Sequence, residues 1–107
     1  MSGSAGDMGN LLKQAQEMQR QLDRARDELR SAVVTGSAGG GAVRVEVNGE
    51  GQVNRISIRP ETLSGGDASR VEDLVLAAVR DGIAKAATLR EERLARVTGG
   101  LNLPGIF

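Results

Sequence analysis

Between Met8 and Ala32 the apolar residues fall at Met8, Leu11, Ala15, Met18, Leu22, Ala25, Leu29 and Ala32, alternating steps of three and four without a break. This spacing gathers them on one stripe of an α-helix and cannot belong to a strand, whose faces alternate at every second residue. The interior is rich in Gln, Glu, Arg, Leu and Ala and free of proline, and Asp7 is placed to cap the N-terminus. At 1.5 Å per residue the helix spans roughly 37 Å. Its heptad seam has two possible partners, a second chain in a coiled coil or another helix of the same chain.

Past Ala32 the pattern changes. Val33, Val34 and Thr35 are β-branched and predict a short strand, and Gly36 to Gly41 predicts a glycine-rich link. Val43, Val45 and Val47 alternate with Arg44, Glu46 and Asn48, the period of a half-buried strand. Asn48 to Gly51 predicts a hairpin turn. The return strand has Val53 on one parity and Ile56 and Ile58 on the other, so a bulge near Asn54 or Arg55 would turn all three to the core, and Pro60 ends it. A second helix follows, capped by Asp67 or by the Ser69 and Glu72 pair. Its apolar face holds Val71, Leu74, Val75, Ala78, Val79, Ile83 and Ala86, extending to Leu94 and Val97, and Gly99 and Gly100 end it. The expected fold class is α+β: a long N-terminal helix, a small antiparallel sheet of about three strands and a long C-terminal helix. One α-β-β-β-α domain would occupy 8–98, between a disordered start at 1–7 and a short irregular tail at 99–107.

Composition narrows what such a domain can do. Phe107 is the only aromatic residue, so small aliphatics must supply the core, and a second copy of the chain is the simplest source of further apolar burial. Cysteine and histidine are both absent. That removes disulfides, thiolate chemistry, the commonest zinc ligands and the commonest general base near neutral pH. The expectation is not an enzyme, with no cofactor, no metal and no small-molecule substrate. The first residues lack the basic and apolar stretches of a secretory signal, and the longest apolar run, Leu74 to Val79, is far short of the roughly 20 residues that span a bilayer. A soluble, cytoplasmic protein without membrane contact is therefore expected.

Few motifs carry chemistry. The glycine segment lacks the Gly-Lys-Ser/Thr ending of a phosphate loop and does not run into a helix. Glu72 with Asp73 and Glu91 with Glu92 are adjacent on a helix, so their carboxylates diverge. Arginine, however, outnumbers lysine twelve to two, a bias suited to phosphate recognition. Formal net charge is zero, and along the first helix Lys13, Arg20, Arg24, Arg26 and Arg30 interleave with acids, so charge alone does not single out nucleic acid. Near the end of the second helix Lys85, Arg90, Arg93 and Arg96 outnumber Glu91 and Glu92, which also suits the helix dipole.

The run Gly9-Asn10-Leu11-Leu12-Lys13-Gln14-Ala15-Gln16-Glu17-Met18-Gln19 joins Val34-Thr35-Gly36, Ala38-Gly39-Gly40-Gly41 and Val45-Glu46-Val47-Asn48-Gly49 in one order. Ile56-Ser57-Ile58-Arg59-Pro60, Glu72-Asp73-Leu74-Val75, Ala77-Ala78 and Leu103-Pro104-Gly105 continue it. This succession, from Met8 onward, resembles the YbaB/EbfC family of bacterial nucleoid-associated proteins. The resemblance implies a homodimer whose helices project from a central sheet like the arms of tweezers, and DNA as partner, within the nucleoid. Lys13, Arg20, Arg24, Arg90, Arg93 and Arg96 would then contact phosphates with little base readout. Val43, Val45, Val47, Ile56, Ile58, Leu74 and Val75 would serve core or dimer packing. The alternative plan is a prefoldin-like chaperone or scaffold that binds other proteins through its helix faces.

Overall fold

The computed structural model describes residues 2–99. Its elements follow the expected order: α1 (Ser2–Ser31), β1 (Val33–Ala38), β2 (Val43–Asn48), β3 (Val53–Ile58), a one-turn α2 (Pro60–Leu63) and α3 (Ala68–Thr98). The strands form one antiparallel sheet in the order β1-β2-β3. The molecule is elongated, 79 Å in its longest dimension and 25 and 16 Å in the others. Its radius of gyration of 21.1 Å exceeds the roughly 13 Å of a compact domain of this size.

β2 is the centre of the core. Val43, Val45 and Val47 are fully buried while Arg44 and Glu46 between them are exposed, as the period of two requires. α3 lies across β1 and β2 and covers this face with Ala78, Gly82 and Ala86, four residues apart on one stripe. Val34, Ala38, Ile58, Leu74, Val75 and Val79 pack around it. The core is therefore small and aliphatic, each buried valine contributing roughly 1.5–3 kcal/mol.

Small residues where α3 crosses the sheet permit close approach, and this explains one departure from expectation. Gly36, Ser37 and Ala38 belong to β1 and not to a link, because Gly36 is buried at the crossing, where any Cβ would strike the backbone of Ala78 and Gly82. The connecting loop is only residues 39–42. In it Gly39, Gly40 and Gly41 all have positive φ (63°, 65° and 89°), a conformation costly to residues with a Cβ.

α1 is tied to the sheet at one end only. Leu29 is buried, its carbonyl accepts a hydrogen bond from the Gly49 amide (2.7 Å), and the Asn48 side-chain amide donates to the Arg30 carbonyl (3.2 Å). These bonds satisfy carbonyls that the end of α1 leaves unpaired. Toward its N-terminus the helix leaves the sheet, so the heptad seam divides. Ala25 and Leu29 are buried within the chain and Met18 and Leu22 half-buried, but Met8 and Leu11 are 71% and 64% exposed. α1 begins at Ser2, ahead of the predicted Met8, and Asp7 lies inside it instead of capping it. Extending an existing helix is far easier than starting one, which suits growth over a polar leader.

The cap of α3 is Asp67, whose carboxylate accepts from the Arg70 amide (3.1 Å). The bulge falls at Asn54: Val47 pairs with Val53 and Glu46 with Arg55, leaving Asn54 unopposed. Val53, Ile56 and Ile58 consequently share the face of Val47, Val45 and Val43. Only Ile58 is half-buried there. Val53 is 39% and Ile56 47% exposed, because α3 sits over β1 and β2 and leaves β3 uncovered. Ile83, expected in the core, is exposed for the same reason. Pro60 ends β3 as expected and also starts α2, a turn that the sequence pattern does not announce. The C-terminal tail lies outside the described residues beyond Gly99.

Candidate nucleic-acid interface

α1 and the C-terminal half of α3 run antiparallel and face each other beyond the sheet. The heptad positions Ala25 and Leu29 hold α1 in place, which sets the flanking residues Gln21, Arg24 and Glu28 against α3. Opposite them stand Arg93, Arg96 and Val97. Together these residues line an open cleft of about 270 Å³.

The charges within the cleft are not equivalent. Arg93 Nη1 lies 3.4 Å from a carboxylate oxygen of Glu28, an ion pair that bridges the two helices. Arg24 and Arg96 have no carboxylate within 4.0 Å among the described residues. The free positive charge of the cleft therefore comes from one arginine on each helix.

The other arginines and the lysine expected at this surface lie apart. Arg20 is held by Glu17 at 2.7 Å one turn back, and that hydrogen bond, with the Arg20 charge, keeps the Glu17 carboxyl below its ordinary value. Lys13 lies three turns outward from Arg24 on exposed helix, and Arg90 is exposed outside the cleft lining. The structure thus brings Arg24, Arg93 and Arg96 together and leaves Lys13, Arg20 and Arg90 around them. Gln21 and Glu28 were not singled out from the sequence. Their signal was available, because they flank Ala25 on the seam at spacings of four and three.

Of the predicted packing residues, Val43, Val45 and Val47 are core, and Leu74, Val75 and Ile58 pack at its margin. Ile56, expected in core or dimer packing, is outside the core and 47% exposed on an apolar face. Asp81 and Lys85 fix one flank of α3 to β1: the Asp81 carboxylate accepts from the Ser37 amide (3.0 Å), and Lys85 Nζ donates to the Thr35 carbonyl (3.2 Å). Leu76, Val79 and Ile83, spaced by three and four, occupy the opposite flank. Leu76 (48% exposed) and Ile83 (43%) there extend the face formed by Val53 and Ile56. The β1 edge is thus occupied by side chains, while among the described residues nothing covers the β3 edge or the apolar face beside it.

Among the described residues no group of acidic side chains could hold a metal ion, and no helix is long and apolar enough to cross a membrane.

A sequence profile of the YbaB/EbfC DNA-binding family matches residues 4–101. A nucleoid-associated protein of Acetivibrio thermocellus is 42% identical over 106 residues, covering 98% of this chain and 94% of the relative. One from Pelotomaculum thermopropionicum is 39% identical, covering 95% and 97%. The crystal structure of an uncharacterized protein from Helicobacter pylori shares the fold, with a TM-score of 0.66 at 24% identity over 79% of this chain and 86% of that one. With a family match spanning nearly its whole length, the chain belongs to the YbaB/EbfC DNA-binding family.

Proposed function

We propose that the chain binds duplex DNA as a homodimer, mainly through phosphate contacts of low sequence specificity, as a protein of the bacterial cytoplasm and nucleoid. The observation that carries this reading is the pair Arg24 and Arg96, facing one cleft from two helices with no carboxylate partner among the described residues. A guanidinium fork matches phosphate geometry and carries no information about the base beyond it. Arg93 lends positive charge to the same cleft, and Lys13, Arg20 and Arg90 lie on the surrounding helix surfaces as outer contacts. A second copy of the chain would cover Val53, Ile56, Leu76 and Ile83, whose exposure on one face is otherwise unexplained. Such a dimer presents two pairs of helical arms, so each duplex meets two clefts.

Anisotropy titration of a labelled duplex at several salt concentrations tests the reading. Affinity should fall steeply with salt, and charge reversal at Arg90, Arg93 and Arg96 should weaken binding alike on unrelated sequences. Absence of binding at low salt would sink it.

A further inference from the structure

A second arginine cluster lies at the other end of the sheet, away from the α1–α3 cleft. Arg44 stands on the exposed face of β2, between the buried Val43 and Val45, and opposite it on β3 is Ser57. Arg59 follows two residues later, its amide bonded to the Ala42 carbonyl (2.9 Å) and its backbone extended (φ −64°, ψ 134°) ahead of Pro60. The two side chains converge over Gly41. A Cβ on that glycine would lie 3.1 Å from Arg44 Nη2, 3.3 Å from Arg44 Nε and 3.2 Å from Arg59 Nη2. Both guanidinium groups thus reach into the space that a side chain would take, beside an open hollow of about 290 Å³ whose walls are Gly41, Arg44, Ser57 and Arg59 with the apolar Ile58 and Pro60.

The convergence is uncompensated. Among the described residues neither guanidinium has a carboxylate within 4.0 Å, whereas Arg20, Arg26, Arg30 and Arg93 all do. Glu46, on the same sheet face, stands opposite Arg55 in the strand register and lies within 4.0 Å of no arginine or lysine nitrogen among the described residues. Glu61 lines the neighbouring hollow with Arg59 and Arg70 but forms no ion pair with them. Two unpaired cations at one point repel, and an oxyanion with several acceptor oxygens relieves that repulsion by accepting from both forks at once. The Ser57 hydroxyl adds a neutral donor at the wall.

We propose that Arg44 and Arg59, meeting over Gly41, form a phosphate-binding site separate from the α1–α3 cleft. Gly39 packs beside Leu74, and from Leu74 to Arg96 α3 rises about 33 Å. One phosphate cannot reach both sites. The bound group is therefore either a second backbone phosphate of the same nucleic acid, which advances a similar distance in about one turn, or the phosphate of a small ligand.

NMR of the arginine Nε–H groups in the full chain tests this. Titration with inorganic phosphate, against sodium chloride at equal ionic strength, should move the Arg44 and Arg59 signals together and saturably. Arg59→Gln should weaken the response of Arg44 at least tenfold, and Arg44→Gln that of Arg59. A duplex that moves the same two signals identifies the source as the nucleic-acid backbone. A duplex that leaves them still while inorganic phosphate moves them identifies a small phosphorylated ligand. The proposal is overturned if neither probe moves them, or if each arginine responds identically when the other is Gln, as independent surface cations would. Failure of DNA binding altogether leaves the phosphate titration intact, so this site and the DNA reading fail separately.

Discussion

Gly36 of β1 and Gly82 of α3 meet backbone to backbone where the helix crosses the sheet. A Cβ on Gly36 would overlap the Gly82 amide nitrogen and the Ala78 carbonyl, so α3 could stay only by lifting away. Gly36→Ala should therefore cost about 3 kcal/mol, the upper range for overpacking a core, since the obstacles are backbone. A Cβ on Gly82 meets chiefly one Val47 methyl at 2.6 Å. Gly82→Ala should cost less, because alanine also favours the helix by about 1 kcal/mol. Urea denaturation of both variants decides it, and equal losses would contradict this crossing geometry.

Asn48 is 3% exposed and holds the base of α1. Its amide nitrogen donates to the Arg30 carbonyl and to Gln52 Oε1 (2.7 Å), while its oxygen accepts from the Glu50 and Gln52 amides (both 3.0 Å). Asn48→Ala should lose about 1–3 kcal/mol by leaving these groups unpaired. Hydrogen exchange should quicken at Gly49 and Ala32, where α1 meets the turn, before it changes in β2.

Asp81 should make stability depend on acid. Hydrogen bonds from Lys85 and the Ser37 amide hold its carboxyl below the ordinary 3.8. A lowered folded-state value means stability present above 3.8 that is lost as pH falls through the lower, folded value. Asp81→Asn should accordingly lower the urea midpoint at pH 7, and the difference from the parent chain should shrink steadily as the pH falls below 3.8. A difference of equal size above and below 3.8 would show that the charge is irrelevant.

In the α1–α3 cleft, pairing should decide which arginine matters. Replacing Arg24 and Arg96 with Gln together should flatten the slope of log K against log salt by about 1.8, since each phosphate that an arginine neutralises contributes about 0.9. Arg20→Gln should change it less, because Glu17 already neutralises Arg20 at 2.7 Å. The reverse order, read by salt-dependent anisotropy, would move the DNA-facing surface toward the outer helix.

The uncovered apolar face gives a test of self-association. Ile56→Asp places a charge on the uncovered apolar face that carries Val53, across from Val45 in the register, while leaving every buried valine in place. Dimer affinity should fall about 30-fold or more, the effect of losing a central anchor worth at least about 2 kcal/mol. Sedimentation equilibrium at micromolar concentrations reads this directly. A parent chain that is monomeric under those conditions would remove the second copy from the proposed function.

Periodicity, with the β-branched run at Val33 to Thr35, determined the α+β class and the order of the elements other than α2, because a step of three and four or of two is set by local backbone geometry. It also determined the need for a bulge, since Val53 and Ile56 differ in parity while both are apolar. The tertiary structure decided which of two equivalent partners a surface meets. The uniform seam from Met8 to Ala32 contains nothing local to show that Ala25 and Leu29 would be buried while Met8 and Leu11 stay exposed, for that depends on where Asn48 and Gly49 fasten the helix. Gly36 looks like a linker residue in the sequence, because a glycine chosen for close packing and one chosen for a turn are the same residue until α3 lies across it. The arginines were legible as a bias. The Glu17–Arg20 pair is a local step of three along one helix, but only the packing turned Glu28 to Arg93 and left Arg24 and Arg96 unmatched among the described residues, because an arginine's free charge depends on what the fold sets within about 4 Å of it.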